Sequence, residues 1–210
     1  EAFNWADRYQ LPVIILSDKF LAESVRTVLP FDAKRVKIDR GKVVLSDAAI
    51  ARMKDFQRYR MAPDGISPRS IPGQKNGIYL ANSDEHDSYG FSNEDSANRI
   101  EQVRKRAAKF AKASVEINGA KLYGNPRARL TVVGWGSTKG PILDAISWLP
   151  ARLRKKVNFL HINVVWPFPS EAVHHILKRS KQALLIENNS TAQLGGLIRQ
   201  QTGIYIEHKM

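Results

Sequence analysis

The sequence contains no cysteine. That removes a disulfide scaffold, a thiolate zinc site and an iron–sulfur cluster held by this chain's own thiolates, and it fits a reducing, cytoplasmic setting. No apolar run approaches the roughly 20 residues needed to span a bilayer. The start also lacks the basic-then-apolar pattern of a secretory signal. There is no H-E-x-x-H pair and no nucleophile elbow around a serine, so metal hydrolysis and triad chemistry have no support. Acidic residues are scarce: 20 Asp and Glu stand against 33 Lys and Arg, for a formal net charge of +13. Such an excess can draw polyanions. The cations are dispersed, however, with one denser run from Arg99 to Lys112 and no recognisable RNA- or DNA-binding module.

What is present is α/β. Glu1 to Tyr9 reads as the end of a helix. Leu11-Pro12-Val13-Ile14-Ile15-Leu16 is a continuous apolar run of strand length, as in a strand buried on both faces. Ser17-Asp18 can cap a helix over 20–28. Pro30 to Asp39 looks extended, Gly41 to Leu45 suits a short strand, and Ser46 to Tyr59 is partly helical in pattern. Further on, Ser92 lies three residues before Asp95, an acidic relative of the capping box. Ile100, Val103, Ala107, Phe110 and Ala111 then recur at helical spacing, opposite a basic face of Arg99, Arg104, Lys105, Arg106, Lys109 and Lys112. Asn118-Gly119 is a good stop for that helix.

From Arg129 the pattern is regular. Strands are expected at 130–133, 157–165, 183–186 and 204–206, with helices at 138–149, 170–180 and 192–202 between them. Such alternation with right-handed crossovers gives a parallel sheet covered on both faces. Gly134-Trp135-Gly136-Ser137-Thr138-Lys139-Gly140 does not make a dinucleotide fingerprint. Its third glycine is one residue late, and the next strand ends in His161, Ile162 and Asn163 with no carboxylate for a ribose. His174 and His175 are adjacent on a helix and diverge, so they are no ligand pair. At the end of the third strand, Glu187-Asn188-Asn189-Ser190-Thr191 occupies the place where open parallel sheets collect ligands. Helix capping by Ser190 or Thr191 explains the same residues.

Between the two patterns lies a long connection punctuated by Pro and Gly, of a length that is usually functional or disordered. Arg69 lies between Pro68 and Ser70, next to Ser67-Pro68 and with Pro72-Gly73 beyond, so that prolines aim the arginine. An aimed guanidinium suits a carboxylate or a phosphate, which it can meet with two hydrogen bonds. Glu85-His86-Asp87 sets an imidazole between two carboxylates, which favours its charged form. A salt-bridge network bracing the connection is the competing reading of the same charges.

The run I-S-P-R-S-I-P-G (66–73), followed by E-H-D-S-Y-G (85–90), N-E-D-S-A-N-R (93–99) and K-R-A-A-K (105–109), resembles the alpha subunit of 2-oxoacid:ferredoxin oxidoreductases. The likeness extends back to L-P-V-I-I-L-S-D-K-F-L-A-E-S (11–24) and forward through V-V-G-W-G-S-T-K-G (132–140), W-P-F-P (166–169) and E-N-N-S-T-A-Q-L (187–194). The last domain is also similar to the C-terminal domain of transketolase-like enzymes. The resemblance implies the end of a thiamine-diphosphate pyrimidine-binding-type domain over 1–60, a linker and long amphipathic helix over 61–126, and a transketolase C-terminal-like parallel-sheet domain over 127–210.

It implies oxidative decarboxylation of a 2-oxoacid with CoA, giving an acyl-CoA, CO2 and reduced ferredoxin. Thiamine diphosphate and magnesium would be shared with a beta subunit, and iron–sulfur clusters would lie on other subunits, with none on this chain. The family's Y-P-I-T-P motif is absent and Ala192 stands where the family usually has Gly before Gln-Leu. The departure at Ala192 bears only on that turn; the chain is expected to be a fragment, inactive alone. Arg69, Glu85, His86 and Asp87 are the expected substrate- or CoA-binding residues, with Ser67, Asn188 and Asn189 behind them. No catalytic or metal-ligating residue is assigned. A non-catalytic assembly module and a basic nucleic-acid-binding protein are the readings from other classes.

Overall fold

The computed structural model describes all 210 residues. It divides into two compact units. The first comprises 1–15 with 28–115, and the second 16–27 with 116–210.

The second unit holds a single five-stranded sheet. Its strands are β1 (Ala120–Gly124), β2 (Leu130–Trp135), β3 (Val157–Ile162), β4 (Gln182–Leu185) and β5 (His208–Lys209), in spatial order β1-β3-β2-β4-β5. Only β1 runs antiparallel, against β3. The regular alternation seen in the sequence is thus a mainly parallel sheet, with α5 (Lys139–Trp148), α6 (Ala151–Arg154), α7 (Ser170–Arg179) and α8 (Gln193–Thr202) between strands. Successive residues of β2 serve opposite faces, as strand geometry requires. Val132 packs with Ile142 of α5 and Phe159, while Val133 packs with Val173, Leu177, Leu194 and Ile198 of α7 and α8. Helix α5 therefore covers one face and α7 with α8 the other. The helix after β2 and the helix after β4 leave on opposite sides of the sheet, which opens a crevice between the carboxyl ends of these neighbouring strands.

Some boundaries differ from the sequence pattern: the strand expected at 157–165 stops at Ile162, and the helix expected at 138–149 is Lys139–Trp148. The strand expected at 204–206 forms later, at His208–Lys209, where the chain pairs with Leu184 and Leu185 of β4, while Ile206 is buried in the core. Strand β1 was not expected at all; a short antiparallel edge strand carries little periodicity of its own.

The first unit contains α1 (Ala2–Tyr9), α3 (Asp47–Arg52) and most of α4 (Ser96–Glu116), joined by long connections. No strand forms over 11–16, and the helix expected at 20–28 shrinks to α2 (Lys19–Glu23), capped by Asp18. A strand requires a partner to bond with, and no other strand lies beside this run. Ile14, Ile15 and Leu16 are exposed accordingly. Between Gly41 and Leu45 only a single bridge forms, Val43 to Arg69.

Helix α4 begins one turn later than the Ser92 signal indicated. Asp95 caps it, its Oδ1 accepting from the backbone N–H groups of Ala97 (2.9 Å) and Asn98 (3.2 Å). It ends at Glu116, before the Asn118-Gly119 stop. Its buried residues are Gln102, Lys105 and Ala113, whereas Ile100, Val103 and Phe110 of the apolar stripe remain exposed. Against the inward face runs the connection at Gly65, whose φ is +71°. A Cβ there would lie 2.2 Å from the Lys105 carbonyl oxygen, so only glycine permits the approach.

Candidate functional site

In the long connection between the two patterns, Ser67, Arg69, Ser70, Gln74, Glu85 and Asp87 each have a hydrogen-bond partner within the chain. Arg69 is held by its backbone bonds to Lys42 and Val44, which fix the chain direction. Its guanidinium Nη2 donates to Asp7 Oδ1 at 2.8 Å. The second oxygen of Asp7 accepts from Arg40 at 2.6 Å. The Arg40 hydrogen bond, outweighing partial burial and joined by Arg69, holds the Asp7 carboxyl below the usual range. Ser67 is buried and donates to the Arg60 carbonyl at 2.8 Å, a structural role.

Glu85, His86 and Asp87 separate in space. Glu85 takes two hydrogen bonds from Arg106, at 2.9 and 2.7 Å, and these lower its pKa despite burial. Asp87 turns the other way, its Oδ1 accepting from the backbone N–H groups of Tyr89, Gly90 and Phe91. His86 is left to bond the Asp87 carbonyl through Nδ1 at 2.8 Å and to lie on the Tyr59 ring, 4.1 Å between centroids. The imidazole is thus not clamped between the two carboxylates.

A residue the sequence reading passed over ties these segments together. Asp64 accepts from Lys42 (2.7 Å) and from Lys112 of α4 (2.9 Å). Burial raises its pKa, but the two lysines outweigh burial and hold it far below the usual range. Lys105 and Lys109 lie on the same inward face of α4. Burial, and then like charges nearby, bring Lys105 down to about 7 and Lys109 to about 8. Four cations of the basic face are therefore paired within the unit: Lys105, Arg106, Lys109 and Lys112. The nucleic-acid reading loses its main support.

In the second unit, the crevice between β2 and β4 is a cavity of about 240 Å³. Leu16, Asp18, Trp135, Ser137, Asn188 and Gln193 are among its lining residues. The Ser137 hydroxyl, and after it the Leu21 N–H, hold Asp18 below the usual carboxylate range. Asn188 Nδ2 reaches Ser137 Oγ at 3.4 Å. Asn189 is a capping residue: its Oδ1 accepts from Gln193 N–H at 3.0 Å and its Nδ2 donates to Glu187 at 2.7 Å. Glu187, 9% exposed, lays its carboxylate on the first N–H groups of α8. A helix start is where a phosphate would bind in such a sheet; here a carboxylate of the same chain already fills it. A wider, shallow groove over α7 and the end of α8 presents both His174 and His175 on exposed surface.

Neither region fits the diphosphate half of a thiamine cofactor. No group of three or more His, Asp or Glu residues is arranged to hold a metal ion, and the helix start best suited to a phosphate is occupied by Glu187.

Residues 1–105 match the family described as pyruvate flavodoxin/ferredoxin oxidoreductase, thiamine diphosphate-binding. The chain is 35% identical over 209 residues to subunit alpha of 2-oxoacid:ferredoxin oxidoreductase 2 from Aeropyrum pernix, covering 97% of this chain and 31% of that protein. It is 33% identical over 213 residues to the 2-oxoacid:ferredoxin oxidoreductase subunit alpha of Saccharolobus solfataricus, covering 99% and 32%. Among solved structures, the 2-oxoglutarate:ferredoxin oxidoreductase from Magnetococcus marinus superposes with a TM-score of 0.85 at 29% identity, covering 99% of this chain and 35% of that one. That structure has 2-oxoglutarate, coenzyme A and succinyl-CoA bound. The chain spans about a third of the length of these relatives.

Proposed function

Because this chain belongs to the pyruvate flavodoxin/ferredoxin oxidoreductase family, we propose that it is the part of an alpha subunit that carries the end of the cofactor-facing domain and the sheet domain beyond it. The whole enzyme cleaves the bond between the carboxyl and carbonyl carbons of a 2-oxoacid. The carboxyl leaves as CO2, the acyl group passes to the CoA sulfur as the thiol gives up its proton to solvent, and the two electrons of the broken bond pass to ferredoxin. Thiamine diphosphate supplies the electron sink for that cleavage when bound. Its diphosphate and magnesium are held by a beta subunit, and the iron–sulfur clusters by cysteines outside this chain. The setting is cytoplasmic; no helix here is long and apolar enough to cross a membrane.

The observation that carries this reading is the extent of the structural match, 99% of the chain at a TM-score of 0.85. A shared sheet domain alone would have matched only the second unit. Arg69, with Glu85, His86 and Asp87, lines the substrate or CoA approach in this reading. A bracing role is favoured by one observation: Arg69, Glu85 and Asp87 are each satisfied by partners of this chain.

The test is reconstitution. The full-length alpha polypeptide is combined with a thiamine-diphosphate-binding beta subunit and assayed with individual 2-oxoacids. CoA-dependent CO2 release coupled to ferredoxin reduction is expected. An assembled complex that binds the cofactor yet turns over no 2-oxoacid would leave only the assembly reading.

A further inference from the structure

The crevice between β2 and β4, about 240 Å³, lies wholly within the second unit and has no task in the proposed function. Leu16, Leu21 and Trp135 supply its apolar wall, and no Lys, Arg or His lines it. The cations next in sequence turn elsewhere: Lys19 pairs with Glu23 at 3.9 Å, and Lys139 lies 5.4 Å from the Tyr123 centroid. Asp18 is the one ionisable side chain among the lining residues. The Ser137 hydroxyl, and the Leu21 N–H at 2.8 Å from Oδ1, favour its charged form.

Charge decides which class of ligand can enter. Each of the two helices that follow these strands brings roughly half a positive charge at its start, and each start is met by a full carboxylate. Glu187 takes the first N–H groups of α8, and Asp18 takes the Ser137 hydroxyl in the turn leading into α5. The balance is negative, which disfavours phosphates and carboxylates. A divalent metal lacks ligands here, because a single carboxylate without His does not make a coordination shell. The polar groups converge: Ser137 bonds Asp18, and its Oγ lies 3.4 Å from Asn188 Nδ2. Thr138 and Asn189 are used internally, the one donating to the Trp135 carbonyl at 2.6 Å, the other accepting from the Gln193 N–H at 3.0 Å. The Asn188 side-chain oxygen and the Gln193 side-chain amide bond nothing in the chain, and both residues are exposed at the mouth. A carboxylate and two amide oxygens beside an indole are left on offer.

We propose that this crevice binds a small organic cation, a primary ammonium group on an apolar body, with the ammonium at Asp18 and the body against Leu21 and Trp135. A primary ammonium carries three donors, and Asp18, Asn188 and Gln193 supply three acceptors. An indole in the wall favours a cation further. A neutral group of the same shape would suit the wall and leave the charge unbalanced. The site goes beyond the proposed function and does not require it.

The test is thermal unfolding of the full-length polypeptide near neutral pH. Benzylamine, benzyl alcohol and phenylacetate are titrated separately at matched ionic strength. The wild type is expected to gain Tm with benzylamine, less with benzyl alcohol and none with phenylacetate. Asp18→Asn keeps the cap of α2, since Asn caps a helix as well as Asp does. In that variant the half-saturating benzylamine concentration is expected to rise about tenfold or more. Asn188→Ala, at an exposed position, weakens binding without touching the cap and serves should Asp18→Asn fold poorly. Glu171→Gln, on the groove over α7, behaves as wild type. A response to benzyl alcohol or phenylacetate equal to that of benzylamine would overturn the proposal. So would no response to benzylamine, or an unchanged half-saturation in both Asp18→Asn and Asn188→Ala.

Discussion

Glu187 turns back onto the helix that follows it, its Oε2 accepting from the Leu194 N–H at 2.9 Å and its Oε1 from the Gly195 N–H at 3.1 Å. The side chain at the end of β4 thus does for α8 what a bound anion does in nucleotide-binding sheets, opposing the positive end of the helix dipole. The crevice above is left to Asp18, neutral polar groups and the apolar Leu16, Leu21 and Trp135.

Truncating that carboxylate is therefore costly. Glu187→Ala is expected to lower stability by roughly 1–3 kcal/mol, the range for buried hydrogen bonds to a charged group. Glu187→Gln, which keeps an acceptor, should lose less. Urea unfolding of the two variants beside wild type checks the order.

Ala192, at the start of α8, holds φ +52° and ψ +56°, a left-handed conformation that suits glycine. Ala192→Gly relieves strain but loosens the unfolded chain, so the net change is expected within about 0.5 kcal/mol. Ala192→Val puts a β-branched side chain in the same conformation and should cost more than about 1 kcal/mol. Equal Tm values for the two variants would contradict the left-handed assignment.

Burial, followed by like charges, sets Lys105 near 7 against its ordinary 10.5. In the folded state it releases its proton first, so between these values the unfolded chain binds more protons. Stability therefore rises with pH across that window. Unfolding in chloride buffers from neutral pH to about pH 10 should show the climb, and Lys105→Met should flatten it. A wild type whose stability falls over the whole range speaks against an uncompensated ammonium.

Arg69 and Asp7 form a partly shielded ion pair, with side-chain exposures of 30% and 18%. Breaking it with Arg69→Ala is expected to cost roughly 1 kcal/mol. In the assembled enzyme, a raised KM for CoA or the 2-oxoacid would identify a binding role. Unchanged kinetics with lowered stability would identify a brace. Asp7→Asn separates the two further, because it weakens the brace and leaves the guanidinium present.

The parallel sheet was legible because Val132, Val133 and their counterparts in β3 and β4 must be apolar on both faces, and that pattern survives in sequence alone. The resemblance carried by Ile66–Gly73 and Glu85–Gly90 was legible for a different reason: prolines, glycines and charges at fixed intervals encode a specific path. In α4 the periodicity of Ile100, Val103 and Phe110 located a helix and misjudged its inward face. A moment reports where apolar residues cluster and not what docks against them. Here the docking partners are backbone carbonyls, of Tyr59 and Gln10, which lysines can reach and leucines cannot satisfy.

Sequence by itself determined the three central strands of the second unit, the helices between them and the family, because local periodicity and motif spacing are properties of neighbours along the chain; it missed the edge strand β1 and misplaced β5. Only the tertiary structure decided the partners of the charges. Glu85 and Asp87 are separated by one residue yet end in Arg106 and a backbone turn, and Asp64 meets Lys112 across 48 positions. Ion pairing depends on distances through space, and those exist only once the chain has folded.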